Sequence, residues 1–242
     1  MDDGAKIITL LGIPFNVGNC LSGLLAAAIA FILVFTFSRN IKMKPTGKQN
    51  ALEWLIDFTN NIVKANIPNE QGRNYQLFAF TLFILVFMSN QIGLIFQFKV
   101  GNVSYVKSPT ASPMTTLTLA FLVMVLSHFL GMTRFGFKGY VKNTFLSPMP
   151  GLFPIQLLEQ FTNFLTLALR LYGNIFAGEV LLSQIGKLAK GGWFGFIGAI
   201  PLDMIWQGFS VFIGSIQAYV FVILTMLYIS QKVEKEIGRA HV

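Results

Sequence analysis

Long apolar runs alternate along the chain with short polar segments rich in lysine and arginine. Apolar positions fill 21–37, 75–98, 114–133, 155–185 and 201–233. Each run suffices for a helix across a hydrocarbon core of about 30 Å, which takes roughly 20 residues. The segment 48–67 differs: Leu52, Leu55, Ile56, Ile62 and Val63 interleave with Glu53, Asp57 and Lys64, with Trp54 among them. That period predicts an amphipathic helix on the cytoplasmic surface, its tryptophan at the interface. The pattern as a whole predicts an all-α polytopic membrane protein. Residues 1–242 would form a single membrane domain of five embedded helices and one surface helix, the last two embedded helices being long.

The connectors carry turn chemistry. Gly101, Asn102, Pro109 and Pro113 give 99–113 the composition of an exposed turn region. Pro148, Pro150 and Pro154 end one element and begin the next, and Lys187, Lys190, Gly191 and Gly192 form a Gly-rich link before the last run. No internal repeat is evident, which disfavours an inverted-repeat transporter.

Composition narrows the class further. The 242 residues are 54% apolar and only 12% charged, with 25 phenylalanines, against about 25% charged in soluble domains. The net charge of +8 does not point to nucleic acid, because twelve of the eighteen Lys and Arg fall in 39–73, 134–142 and 232–239. By the positive-inside bias these are cytoplasmic, so the amino terminus lies outside and the carboxyl terminus inside. Lys187 and Lys190 go against this bias. The first fifteen residues lack the basic n-region and cleavage site of a signal peptide, so the first span is expected to be retained. Cys20 is the lone cysteine, and no Cys/His cluster has metal-ligand spacing. Neither a metal nor a cofactor is expected.

One residue breaks the apolar pattern hardest. Arg170 lies in the middle of an apolar segment, where its guanidinium stays charged at a cost of about 2.5–3.5 kcal/mol on the mildest insertion scales. At 100° per residue, about the α-helical step, Glu159, Asn163, Thr166, Arg170, Asn174 and Ala177 share one face. Lipid penalises such a stripe, so it should point at protein or water. Glu159 is about 16 Å away along the axis, and Glu179 is turned about 180° from the arginine. Spans one to three contain no acid in their apolar stretches, so a compensating anion belongs to another chain.

The last helix has its own stripe in Asp203, Gln207, Ser210, Gly214 and Gln217. Gly208, Gly214, Ser215 and Ala218 would let a neighbouring helix approach closely, matching Gly173, Ala177 and Gly178, so the last two long helices are expected to face each other and a common partner. Plainer readings stand beside these. Arg170 could snorkel or bridge backbone carbonyls, Glu179 could be a neutral structural carboxyl, and Asn174, Ser210 and Gln217 could be interhelical glue. Asp203, beside Pro201, could cap a helix start, and His128 and His241 read as incidental.

The run LALRLYGNIFAGE at 167–179 resembles the signature of the a subunits of bacterial rotary F-type ATP synthases, and IGSIQAYVFVILTMLY at 213–228 agrees. The first span, the amphipathic stretch and FMSNQIGL at 87–94 extend the resemblance over nearly the whole chain. It implies a non-catalytic stator subunit of the plasma membrane, coupling proton flow through two offset half-channels to ATP synthesis or hydrolysis. The implied partners are the c-subunit ring, the peripheral stalk b subunits, the remaining synthase and the bilayer. Arg170 would face the c-ring carboxylate, with Asn174 and Gln217 beside it. Glu179 would serve the half-channel open to the outside, and Glu159 the cytoplasmic one. Some relatives carry a histidine at the position of Ser210 and others an acid near Asn90. Both positions are neutral here, so the outer path is read as water held by Ser210, Asn90, Gln207 and Glu179, with Asp203 as a further lining residue. A rival reading is a single-chain channel or secondary transporter in which Arg170 binds an anionic substrate, and another is a structural scaffold.

Overall fold

The computed structural model describes residues 7–10, 13–39, 41–44, 46–67, 70–95, 98–100, 103–106, 108–145 and 150–233. A hairpin of β1 (Ile7–Leu10) and β2 (Ile13–Asn16) leads into α1 (Val17–Ser38), followed by α2 (Lys48–Asn66) and α3 (Gln76–Ile95). A second hairpin, β3 (Phe98–Val100) with β4 (Val103–Val106), precedes α4 (Pro113–Phe145), α5 (Phe153–Ala189) and α6 (Trp193–Val233). Among the described residues, five helices are long and apolar enough to cross a membrane: α1, α3, α4, α5 and α6. The helical class therefore holds, with two short antiparallel hairpins added to it. One of them occupies the region read as a turn. His241 lies outside the described residues.

Helices dominate because hydrocarbon offers the backbone no partner but itself. Hydroxyls within the spans obey the same rule. Thr81, Thr118, Ser215 and Thr225 each donate to the carbonyl four residues earlier, at 2.7 or 2.8 Å. The core forms where α3, α5 and α6 meet α2 and α4, around buried Val86, Leu167, Leu171, Phe221, Met226 and Ile229. The apolar face of α2 joins it: Phe58 packs between Phe83 of α3 and Tyr219 of α6, with centroids 5.6 and 5.5 Å apart. Ser230 Oγ donates to the carbonyl of Asn66 at 2.8 Å, satisfying the carboxyl end of α2.

Two boundaries differ from expectation. The last helix begins at Trp193, eight residues before Pro201, so this proline lies inside α6 and the link is reduced to 190–192. Asp203 therefore sits well within a helix, and the capping role is excluded. The sequence Trp193–Ile200 is itself apolar, and a membrane helix tolerates the one bond a proline removes. The third span runs on through the basic segment to Phe145, but breaks at Gly136, whose φ of 69° lies in the left-handed region.

Past that break the chain folds back, and Tyr140 is buried against Gly131, its hydroxyl hydrogen-bonded to His128 Nδ1. A Cβ at position 131 would stand 2.8 Å from Tyr140 Cε2 and 3.1 Å from the carbonyl of Lys232. Gly131→Ala should therefore displace the Tyr140 ring and destabilise the solubilised protein by about 1–3 kcal/mol. Reversible denaturation in detergent checks this, and an unchanged stability would contradict the packing described.

Candidate functional site

Helices α5 and α6 pack along each other and set the geometry of the polar residues. The inward side of α5 carries Leu167, Ala168, Leu171, Ile175, Gly178 and Ile185, all buried. That choice of face turns Glu159, Thr166, Arg170, Asn174 and Ala177 outward, where they are exposed, with Asn163 half-buried. The stripe expected to face protein or water thus lies on the outer surface of this chain, near the midpoint of α5. Among the described residues Arg170 forms no hydrogen bond or ion pair. The Tyr228 phenol of α6 lies in its field.

The α6 stripe points the other way. Ser210, Gly214 and Gln217 are buried, and Asp203 and Gln207 half-buried. Helix α3 holds this face from behind. Asn90 Nδ2 donates to the carbonyl of Gly214 at 3.0 Å, and Gln91 Nε2 reaches the carbonyl of Val211 at 3.1 Å and Ser215 Oγ at 3.3 Å. Asn90, fully buried, also accepts from Thr110 Oγ1 at 2.8 Å. Ser108 donates to the carbonyl of Ser89 at 2.9 Å, so the buried turn Pro109–Ala111 is stitched to α3 and through it to α6.

One amide pair links the two stripes. Exposed Asn174, one turn beyond Arg170, donates from Nδ2 to Oε1 of buried Gln217 at 2.7 Å. Farther along, Trp206 Nε1 donates to the carbonyl of Gly178 at 3.3 Å, and a Cβ on Gly178 would lie 3.8 Å from Ser210 Oγ. Of the small residues expected at the close approach, only Gly178 fulfils that role on α5. Gly173 and Gly208 have nothing within 4 Å of a Cβ, and Ala177 is exposed. Ser210 Oγ, Gln217 Nε2 and Gln91 Oε1 are buried without a protein partner among the described residues. Buried polar atoms of this kind are the places that ordered water occupies. Glu179, half-buried, follows Gly178 directly.

The sequence-predicted residues thus fall into four groups. Asn174, Gln217, Ser210 and Glu179 lie along the α5–α6 seam with Gln207 and Asp203 beyond them, Asn90 braces that seam from α3, and Arg170 stands outside it. Glu159 is exposed on α5, where its charge is felt by buried Lys232 and by Tyr228. Gln91, Trp206 and Thr110 were not singled out for the contacts they make. Gln91 belongs to the polar cluster Ser89, Asn90 and Gln91 that marks the second span in the sequence, whereas no local pattern ties Thr110 to a helix twenty residues earlier. A cleft of about 500 Å³ between α4 and α5, walled mainly by Phe121, Val125, Leu158, Phe161 and Phe164, also has His128 and Gln160 in its lining, and the His128 Nδ1 is hydrogen-bonded to the Tyr140 hydroxyl.

Comparison with known proteins gives a consistent result. The sequence profile of the family described as ATP synthase A chain matches residues 20–230. The chain is 56% identical over 227 residues to ATP synthase subunit a of Pediococcus pentosaceus, covering 93% of this chain and 95% of that protein. It is 52% identical over 238 residues to the subunit a of Enterococcus hirae, covering 98% and 100% of the two chains. The subunit a of Anoxybacillus flavithermus is 45% identical over 236 residues, with 98% and 100% covered.

The Asn174–Gln217 bond predicts energetic coupling between the helices. Asn174→Ala and Gln217→Ala should each destabilise the protein, and the double variant should fall short of their sum by about 0.6 kcal/mol, the average for interhelical bonds in membranes. A double-mutant cycle by denaturation in detergent measures this, and strict additivity would mean that the bond contributes nothing.

Proposed function

The chain belongs to the ATP synthase A chain family, the a subunits of bacterial F-type ATP synthases, and from that premise we infer that it is the stator through which protons reach and leave the c-subunit ring. The observation that carries this reading is Arg170, a permanent cation exposed at mid-helix with no bond to any described group of its own chain. Such a charge calls for an anion from outside, and an ionised c-ring carboxylate supplies it.

The mechanism follows from solvation. A protonated c-ring carboxyl is neutral and can turn through lipid, whereas the ionised form is costly there. The proton therefore leaves only where Arg170 compensates the carboxylate. The same fixed charge repels a proton crossing directly between the two access paths, so transfer proceeds by rotation. A membrane potential contributes about 2.3 kcal/mol per charge per 100 mV, and several protons per turn supply the work of ATP formation in the soluble sector. The subunit itself makes no covalent bond.

The outer path runs along the α5–α6 seam, where Glu179 takes up protons and water is held near Ser210, Gln207 and Gln217, with Asn90 fixing α6 behind them and Asp203 farther out. The inner path opens at the exposed Glu159. In this arrangement the amino terminus faces outward, the carboxyl terminus faces the cytoplasm, and the b subunits of the peripheral stalk hold the chain against rotation.

Two measurements test the reading. Arg170→Ala should reduce proton-driven ATP synthesis in reconstituted vesicles to background while leaving a passive proton leak, and near-normal coupled synthesis would overturn the assignment. A cysteine replacing exposed Asn174 should form a disulfide with a cysteine on the outer helix of a c subunit in intact membranes. One replacing Gln217, 3% exposed behind α5, should not. Equal cross-linking at both positions, or none at Asn174, would mean that another face meets the ring.

A further inference from the structure

The loop between α1 and α2 carries features that the proton path does not use. Helix α1 has 22 residues, about 33 Å at 1.5 Å per residue, which matches one crossing of the hydrocarbon core. The loop that follows Ser38 therefore emerges at the level of the lipid headgroups. From 39 to 48 the sequence contains Arg39, Lys42, Lys44 and Lys48 and no acid.

This segment is held in place. The Gln49 side chain, only 7% exposed, pairs with both backbone groups of Lys42: Oε1 accepts from its N–H at 2.8 Å, and Nε2 donates to its carbonyl at 2.9 Å. Nε2 also donates to Glu53 Oε1 at 2.7 Å, which occupies the nearest acid of α2. Asp57, the next, is exposed two turns into that helix. The neighbours of the pinned Lys42 along the chain, Ile41 and Met43, are 74% and 105% exposed, and Trp54 of α2 is 66% exposed. Large apolar side chains set among cations at the end of a membrane span are arranged as an interfacial anchor, apolar groups entering the acyl boundary and lysines meeting phosphates.

We propose that Arg39, Ile41, Lys42, Met43, Lys44 and Lys48, with Lys42 pinned by Gln49, form a docking surface for anionic phospholipid, with Ile41 and Met43 inserted below the headgroups and the four cations above. The charge complementarity selects anionic over zwitterionic lipid, because each cation near such a surface adds to the attraction. The surface is independent of the Arg170 mechanism.

The test uses the whole synthase in nanodiscs of phosphatidylcholine with increasing phosphatidylglycerol, carrying Cys20→Ser and a nitroxide on a cysteine replacing Met43. The label should be reached by oxygen and shielded from a water-soluble nickel chelate, with the shielding rising as phosphatidylglycerol is added. In the Lys42→Gln/Lys44→Gln background, the phosphatidylglycerol fraction giving half-maximal shielding should rise at least about threefold, with coupled ATP synthesis retained. A label open to the chelate at every lipid composition would overturn the proposal. So would shielding that ignores phosphatidylglycerol, which would leave an apolar contact only, or shielding that vanishes when the soluble sector is stripped away, which would assign the surface to a protein partner.

Discussion

A guanidinium near the midpoint of a span-length helix, with no ion pair among the described residues, is the constraint on which the rest of this structure depends. Arginine does not escape its charge by deprotonation, as a buried lysine can. The protein must therefore set the charge where a compensating anion can arrive, and must keep it from being satisfied at home. The exposure of Arg170 and its lack of a described bond in α5 fit both conditions. The apolar residues of α5 commit one side to α4 and α6, and Arg170 is left on the other side without a described intrachain bond.

Fixing that position falls to the α6 side. Asn174 ties α5 to Gln217, Asn90 and Gln91 tie α6 to α3, and Thr110 and Ser108 tie α3 to the buried turn Pro109–Ala111. These links run mainly through side-chain amides and hydroxyls, which bond helix carbonyls without disturbing the helices themselves. Each is individually modest, on the order of 0.6 kcal/mol between membrane helices. Together they link helices α3, α5 and α6 and the buried turn Pro109–Ala111.

Much of this was legible in the sequence. Five apolar runs became five helices because a hydrocarbon solvent leaves little choice of backbone structure, and the α5 stripe followed from a fixed angle per residue. The start of α6 was not legible, since Pro201 reads as a helix start by soluble-protein rules, and Asp203 was misplaced with it. Nor could angles say whether the α6 stripe faces a partner or its own bundle. That outcome depends on Asn90 and Gln91 reaching carbonyls more than a hundred residues away. The small residues show the same limit. Gly173 and Gly178 are equivalent by composition, but only Gly178 lies against Ser210.

The division between a fixed stem and a free head reconciles two demands on Arg170. In the proposed mechanism a barrier to direct proton passage has to stay at one depth, and the Asn174–Gln217 bond ties the backbone of α5 to α6 one turn beyond the arginine. A partner that arrives, discharges and leaves has to be met by a side chain able to follow it over a few ångströms. A guanidinium tied to Glu179 or Glu159 would be neutralised and held back from the carboxylate that the proposed mechanism brings to it. Placing one acid on the opposite side of the helix and the other about 16 Å away along it keeps both within the same subunit while denying either a direct pair with the arginine.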